Sequence, residues 1–324
     1  MAGSQTYDPT VFKKESISKE TAEFNEVVDK VLSSLPHSYT RAPQTIRDEQ
    51  EAGKGPWPIK MLDDFQNRVV STRTGKVPVR VFVPEDPKGV YLHIHGGGFM
   101  LGGAHHQDEG LHMLATQCRV AVVSVDYRLA PEHPYPEGAD DCETAAVWLV
   151  ENMKNEFHTQ TLMIGGESAG ANLAVVTLLR MKERQGFTGF AGANLPYGVY
   201  DQSQTPSARN FGESPRYVLT TKLMHWFHEN YAPAHMHRDP EVSPLYADLS
   251  NLPPALFTVG TLDPLLDDSL FMHARWVAAG NQSELAVYPG GLHAFNMFPI
   301  EIARQANLKI GAFIRGCVMP GKTD

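Results

Sequence analysis

Apolar positions fall into two regimes along this chain, and the change comes near residue 65. After it, short apolar runs alternate with longer stretches of helical period. VPVRVFV at 77–83 alternates apolar with other residues, the period of a half-buried strand. Thr74-Gly75 sits between it and a preceding strand near 66–71, as in a hairpin. Runs at 90–94, 161–164, 190–195, 255–259 (ALFTV) and 284–288 predict further strands, and AVVSV at 121–125 reads as a buried parallel strand. Helices are predicted over 106–117, 137–152, 169–183, 268–279 and 300–314. Strands alternating with helices give an α/β class, a mostly parallel sheet with helices on both faces. The alternation breaks over 201–252, which is rich in Pro, Asn, His and aromatics and holds one predicted helix, 220–231. Residues 1–60 are polar and prolyl, with a helix over 20–35 and no strand. The expected organisation is an N-terminal cap segment, 1–60, and a catalytic domain, 61–324, carrying a helical cap insertion near 201–250.

Composition narrows the class without changing this picture. A net charge of −9 argues against a general nucleic-acid binder. No apolar run is long enough to insert into a membrane, and the first twenty residues hold no apolar signal core. Three cysteines, Cys118, Cys142 and Cys317, fit reduced thiols better than a disulfide framework. The expected location is cytoplasmic.

Candidate chemistry centres on MIGGESAGANL at 163–173, where Gly166 and Gly170 bracket Ser168 between a strand and a helix. Such a turn pushes the hydroxyl out at the carboxyl edge of a sheet, in a strained and exposed position. A serine nucleophile needs a base, and the base an orienting acid, in the chain order Ser, acid, His. His293 lies in a glycine-rich loop after the last strand. Asp263 lies just past ALFTVG, with Asp267 and Asp268 as competitors; Asp268 would more simply cap the next helix. The developing oxyanion needs donors. HIHGGGFMLGG at 93–103 offers the N–H groups of Gly97 and Gly98, with Ala169 as a third. A phosphate loop is disfavoured, since GxGxxG spacing and a following lysine are both missing. Metal binding by His93 and His95, or by His235 and His237, lacks partners at ligand spacing. No metal or organic cofactor is expected.

HGGGF (95–99), YRLAPEHPYP (127–136), GESAG (166–170), DPLLDD (263–268) and the HAF around His293, taken together and in this order, resemble the hormone-sensitive-lipase family of α/β-hydrolases, the microbial family IV carboxylesterases and their relatives. The resemblance implies an α/β-hydrolase fold, a triad of Ser168, Asp263 and His293, and an oxyanion hole from Gly97, Gly98 and Ala169. It implies a cap built from the N-terminus and an insertion, hydrolysis of short- to medium-chain carboxylic esters, and a homodimer through the edge strand or C-terminal helix. One residue departs from the pattern: Glu167, often Asp or Thr in that family, which is expected to reach Tyr127 or Arg128 or to be a solvated or salt-bridged elbow residue. The expected pocket residues are His95, Phe99, Tyr197, Phe211, Met224, Phe227 and Phe295, with apolar cap residues Phe12, Phe24, Val28, Leu32 and Trp57 packed over the mouth. Rival readings keep the fold: amide, thioester or formamide hydrolysis, acyl transfer, dehydration, or a non-catalytic ligand receptor.

Overall fold

The computed structural model describes residues 8–56, 59–73 and 75–321. Ser18 Oγ accepts the Thr21 N–H at 3.1 Å and starts α1 (Lys19–Ser33). Pro43 opens α2 (Pro43–Glu51), where a missing N–H costs nothing. The strands follow from residue 66. β1 (Gln66–Thr72) and β2 (Gly75–Phe82) form the expected hairpin, although Thr74 in its turn lies outside the described residues. Then come β3 (Gly89–Ile94), α3 (Asp108–Cys118), β4 (Val120–Val125), α4 (Glu137–Phe157), β5 (Leu162–Gly166), α5 (Ala169–Gln185) and β6 (Phe190–Pro196). The insertion contributes α6 (Pro206–Asn210), which the sequence did not suggest, and α7 (Thr221–Tyr231). The chain closes with β7 (Ala255–Leu262), α8 (Leu266–Ala278), β8 (Ser283–Leu292) and α9 (Glu301–Val318).

The eight strands form one sheet in the order β1-β2-β4-β3-β5-β6-β7-β8. Only β2 runs against its neighbours; the other pairings are parallel. Parallel strands need crossovers, and helices supply them on both faces. In β3 every residue is buried, and alternate side chains serve two cores. Leu92 and Ile94 pack with α4 and α5 residues such as Leu149 and Leu173, while Tyr91 packs with Leu111 of α3 and Ile314 of α9. No described helix is long and apolar enough to cross a membrane.

This topology decides where a ligand can go. From β3 the chain steps to β4 on one side, then crosses to β5 on the other. The loops leaving β3 and β5 therefore diverge, and a crevice opens at their carboxyl ends. Those loops carry the HGGGF and GESAG motifs.

Asp268 does not cap α8, as the sequence suggested. It sits inside the first turn, fully buried, and reaches across to the insertion. Its carboxylate accepts the N–H groups of Tyr200 and Asp201 at 2.7 and 2.9 Å and the Thr205 hydroxyl at 2.6 Å. Burial nevertheless pushes its pKa up to about 7.

Candidate active site

Ser168 directly precedes α5, with φ +57° and ψ −119°. A non-glycine residue at positive φ is strained, and here the flanking glycines make the turn possible. A Cβ on Gly166 would lie 2.2 Å from the Ile94 carbonyl oxygen, and one on Gly170 only 2.0 Å from it. Both positions thus admit no side chain while the elbow packs on the end of β3.

β7 ends at Leu262 and Asp263 follows; β8 ends at Leu292 and His293 follows. The sheet edge so brings three distant residues into line. His293 Nε2 lies 2.9 Å from Ser168 Oγ, and His293 Nδ1 lies 2.9 Å from Asp263 Oδ2. Asp263 Oδ1 accepts the Leu265 N–H at 2.8 Å, which fixes the carboxylate. The Asp263 side chain is wholly buried. Asp267 is elsewhere: it accepts the Ser207 N–H at 2.8 Å and so joins α8 to α6.

The glycine turn faces the serine. Gly97 carries φ +116° and Gly98 φ +62°. A Cβ on Gly97 would strike the Leu101 carbonyl oxygen at 2.1 Å, and one on Gly98 the Phe227 ring at 2.4 Å. The Gly97 carbonyl is tied back by the Leu101 N–H at 2.9 Å. Ala169 is the first residue of α5, so its N–H lacks an intrahelical partner and lies at the positive end of the helix dipole.

Glu167 reaches neither Tyr127 nor Arg128 and is not solvated; of the expected arrangements it takes the paired one, with His93 as the partner. Its Oε1 accepts the Gly96 N–H at 2.7 Å, and its Oε2 meets His93 Nε2 at 3.1 Å. Gln107 Nε2 donates to the same carboxylate. His93 Nδ1 in turn meets Ser124 Oγ at 2.8 Å. Burial opposes the charge on Glu167, but His93 and the Gly96 N–H hold its pKa below the usual carboxylate range. Tyr127 instead donates to the His95 carbonyl at 2.9 Å and stacks on the His95 ring at 4.2 Å. Arg128 braces loops through Asp141 and Glu137. A small polar residue inside the apolar run AVVSV was the one sequence signal for this buried network.

A cavity of about 640 Å³ opens over Ser168 and His293. His95, Phe99, Tyr197, Met224 and Phe227 line it. Phe211 does not; it packs beside Tyr217, their ring centroids 6.3 Å apart. Phe295 does not either; it is fully buried behind the site against Tyr288, at 5.1 Å. Leu32 and Leu35 from the N-terminal segment line the cavity, together with Ile46, Ile59 and Leu219, which the sequence reading had not singled out. Phe24 sits away from the mouth on Phe298, at 5.1 Å, Phe12 is exposed, and Trp57 lies outside the described residues. His237 is half-buried, its Nε2 3.0 Å from the Ala232 carbonyl, while His235 is exposed.

The N-terminal segment is stitched to both sides of the cleft. Arg47 donates to the Met100 carbonyl at 3.0 Å and pairs with Glu132 at 2.5 Å. Arg216 of the insertion donates through its N–H to Asp29 at 2.6 Å and through its guanidinium to the Leu35 and Pro36 carbonyls. Asn25 donates to the Gly290 carbonyl at 2.9 Å.

Residues 91–297 match a family model described as the alpha/beta hydrolase fold. The chain is 31% identical over 298 residues to an ethyl acetate hydrolase of Pseudomonas putida, covering 86% of this chain and 92% of that protein. It is 33% identical over 290 residues to the carboxylic ester hydrolase LipN of Mycobacterium tuberculosis, covering 85% and 73%. Among solved structures, it resembles a hyperthermophilic esterase from the archaeon Pyrobaculum calidifontis with a TM-score of 0.81 at 29% identity, covering 91% of this chain and 97% of that one. A hormone-sensitive lipase from a metagenome library matches with a TM-score of 0.81 at 25% identity, covering 92% and 98%.

Proposed function

The chain belongs to the α/β-hydrolase fold family, in its hormone-sensitive-lipase branch of carboxylesterases, and we propose that Ser168, His293 and Asp263 carry out its hydrolysis of carboxylic esters. The observation that carries the assignment is the pair of 2.9 Å contacts linking the serine, the imidazole and the buried carboxylate.

Ser168 Oγ attacks the ester carbonyl carbon while its proton passes to His293 Nε2. Asp263 holds the ring in the tautomer with hydrogen on Nδ1 and stabilises the imidazolium that forms. The N–H groups of Gly97, Gly98 and Ala169 receive the charge on the former carbonyl oxygen. His293 then gives its proton to the departing alcohol. Water, deprotonated by the same imidazole, cleaves the acyl-serine and releases the carboxylic acid.

The substrate is a small-molecule ester of short to medium acyl chain. A bounded, largely apolar cleft of about 640 Å³ supports that reading, since sites of roughly 300–1,000 Å³ suit small ligands. Residues 1–60 and the insertion act as the cap that bounds it. Three free cysteines support a cytoplasmic setting, and the edge strand β8 or the C-terminal helix α9 is the surface for a homodimer.

A fluorophosphonate probe tests the reading. Intact-protein mass spectrometry should show one adduct, mapped to Ser168 and abolished in Ser168→Ala. An unlabelled wild type, or esterase activity surviving in the verified alanine variant, would overturn it.

A further inference from the structure

Away from the serine, one cluster of side chains converges three metal-ligating atoms on a single point. Glu51 is the last residue of α2, and His105 and His106 lie on the loop between the glycine turn and α3. His105 Nε2 lies 3.1 and 3.0 Å from the two Glu51 carboxylate oxygens, and His106 Nε2 lies 2.8 Å from Oε1. The two rings stand at 87° with centroids 4.5 Å apart, so both Nε2 atoms address the same carboxylate. One donor atom from each residue lies within 4.8 Å of the other two, and among the described residues no other group of His, Cys, Asp or Glu does this.

We infer that Glu51, His105 and His106 form a site for a divalent cation of the zinc class that fastens the N-terminal segment to the loop carrying the oxyanion glycines.

Two imidazoles and one carboxylate select a borderline cation over Mg²⁺ or Ca²⁺, which take oxygen ligands. Ligands of a tetrahedral zinc ion, bound at about 2.0–2.1 Å, stand a little over 3 Å apart. The nitrogen-to-carboxylate distances already have that size, and with all three donor atoms within 4.8 Å of one another the two rings need only close on the ion to bind it. Glu51 is 53% exposed, which leaves the ion a way in from solvent. Three protein ligands leave a fourth position for water. The site is not needed for ester cleavage. Its consequence is mechanical: His106 also lines the cleft, so the ion ties α2 to the cleft wall.

The test uses chelator-treated full-length protein. Calorimetric titration with Zn²⁺ should show one equivalent bound, and thermal melting should show a higher Tm with the ion than without it. Glu51→Gln and His105→Asn should each weaken Zn²⁺ binding by about tenfold or more and abolish the Tm rise. Both variants should retain the metal-free esterase rate, which shows that they fold. Mg²⁺ at the same concentration should do neither. No binding by wild type, binding unchanged in both variants, or equal binding of Mg²⁺ would each overturn the proposal. None of these readouts depends on the identity of the nucleophile.

Discussion

The Glu167 carboxylate accepts the backbone N–H of Gly96 at 2.7 Å, so the residue before Ser168 holds the start of the loop opposite it. Elbow and glycine turn are therefore set relative to each other by one buried group. Glu167→Gln keeps the shape but weakens its acceptor bonds and removes the charge facing His93. A misplacement of about 1 Å can cost about 10²-fold in rate. The variant should lose about 10- to 100-fold in kcat with little change in KM, because the oxyanion donors act in the transition state. Steady-state kinetics on a short-chain ester decides it; an unchanged kcat would remove Glu167 from any positioning role.

The two nearby aspartates should separate cleanly. Asp263→Asn should lower kcat by about 10³–10⁴-fold, since the imidazole loses the carboxylate that fixes its tautomer. Asp267→Asn should leave kcat within a few-fold and instead lower Tm, because Asp267 serves the α6–α8 junction. A reversed ranking of the two kcat values would make Asp267 the orienting acid.

Stability should fall in mild acid. Burial lowers the pKa of His95 to about 4 and that of His228 to about 3, the latter helped by neighbouring His237. The unfolded chain protonates both near 6.5. Folded values below the unfolded one mean that this stability is complete above about pH 6.5 and is lost as pH falls toward the folded values. Asp268, raised to about 7, acts in the opposite sense and gains stability as pH drops through that value. The net slope between about pH 4.5 and 6 from these three is about one proton, near 1.4 kcal/mol per pH unit. Denaturant titrations across that range should show it, and His228→Asn should flatten it. A wild type equally stable at both ends would contradict the assignment.

Arg47 joins α2 to the catalytic loops through the Met100 carbonyl and Glu132. Arg47→Ala should raise KM several-fold and lower Tm by a few degrees while kcat for a small soluble ester stays close to wild type. The same kinetics with acyl chains of increasing length should show kcat/KM rising by up to about fourfold per methylene, following about 0.8 kcal/mol per buried CH₂. The rise should end within roughly two to eight carbons, where a cleft of this size class is full. A profile still climbing at longer chains would mean that the cleft is not closed by the cap.

The catalytic core was readable because each signal there is local. Glycine spacing, β-branched runs and their loops place Ser168, Asp263 and His293 at strand ends before any contact is known. What escaped was contact between segments far apart in the chain. Phe211 and Phe295 looked like pocket residues because they are aromatic and near the motifs, yet their rings pack away from the cleft. The longer Glu167 side chain turned inward to His93, and only the fold brings His93 and Gln107 to it. Asp268 was read as a helix cap from its local position, but three donors from the insertion hold it.

The Asn25–Gly290 hydrogen bond spans 265 positions, and it has a consequence for biosynthesis. On the ribosome α1 emerges long before β8, against which it docks. Until then the Asn25 side chain lacks the carbonyl that receives it. The earlier segment is thus seated late, and a nascent chain acquires a walled cleft only after Ser168, Asp263 and His293 have all left the exit tunnel.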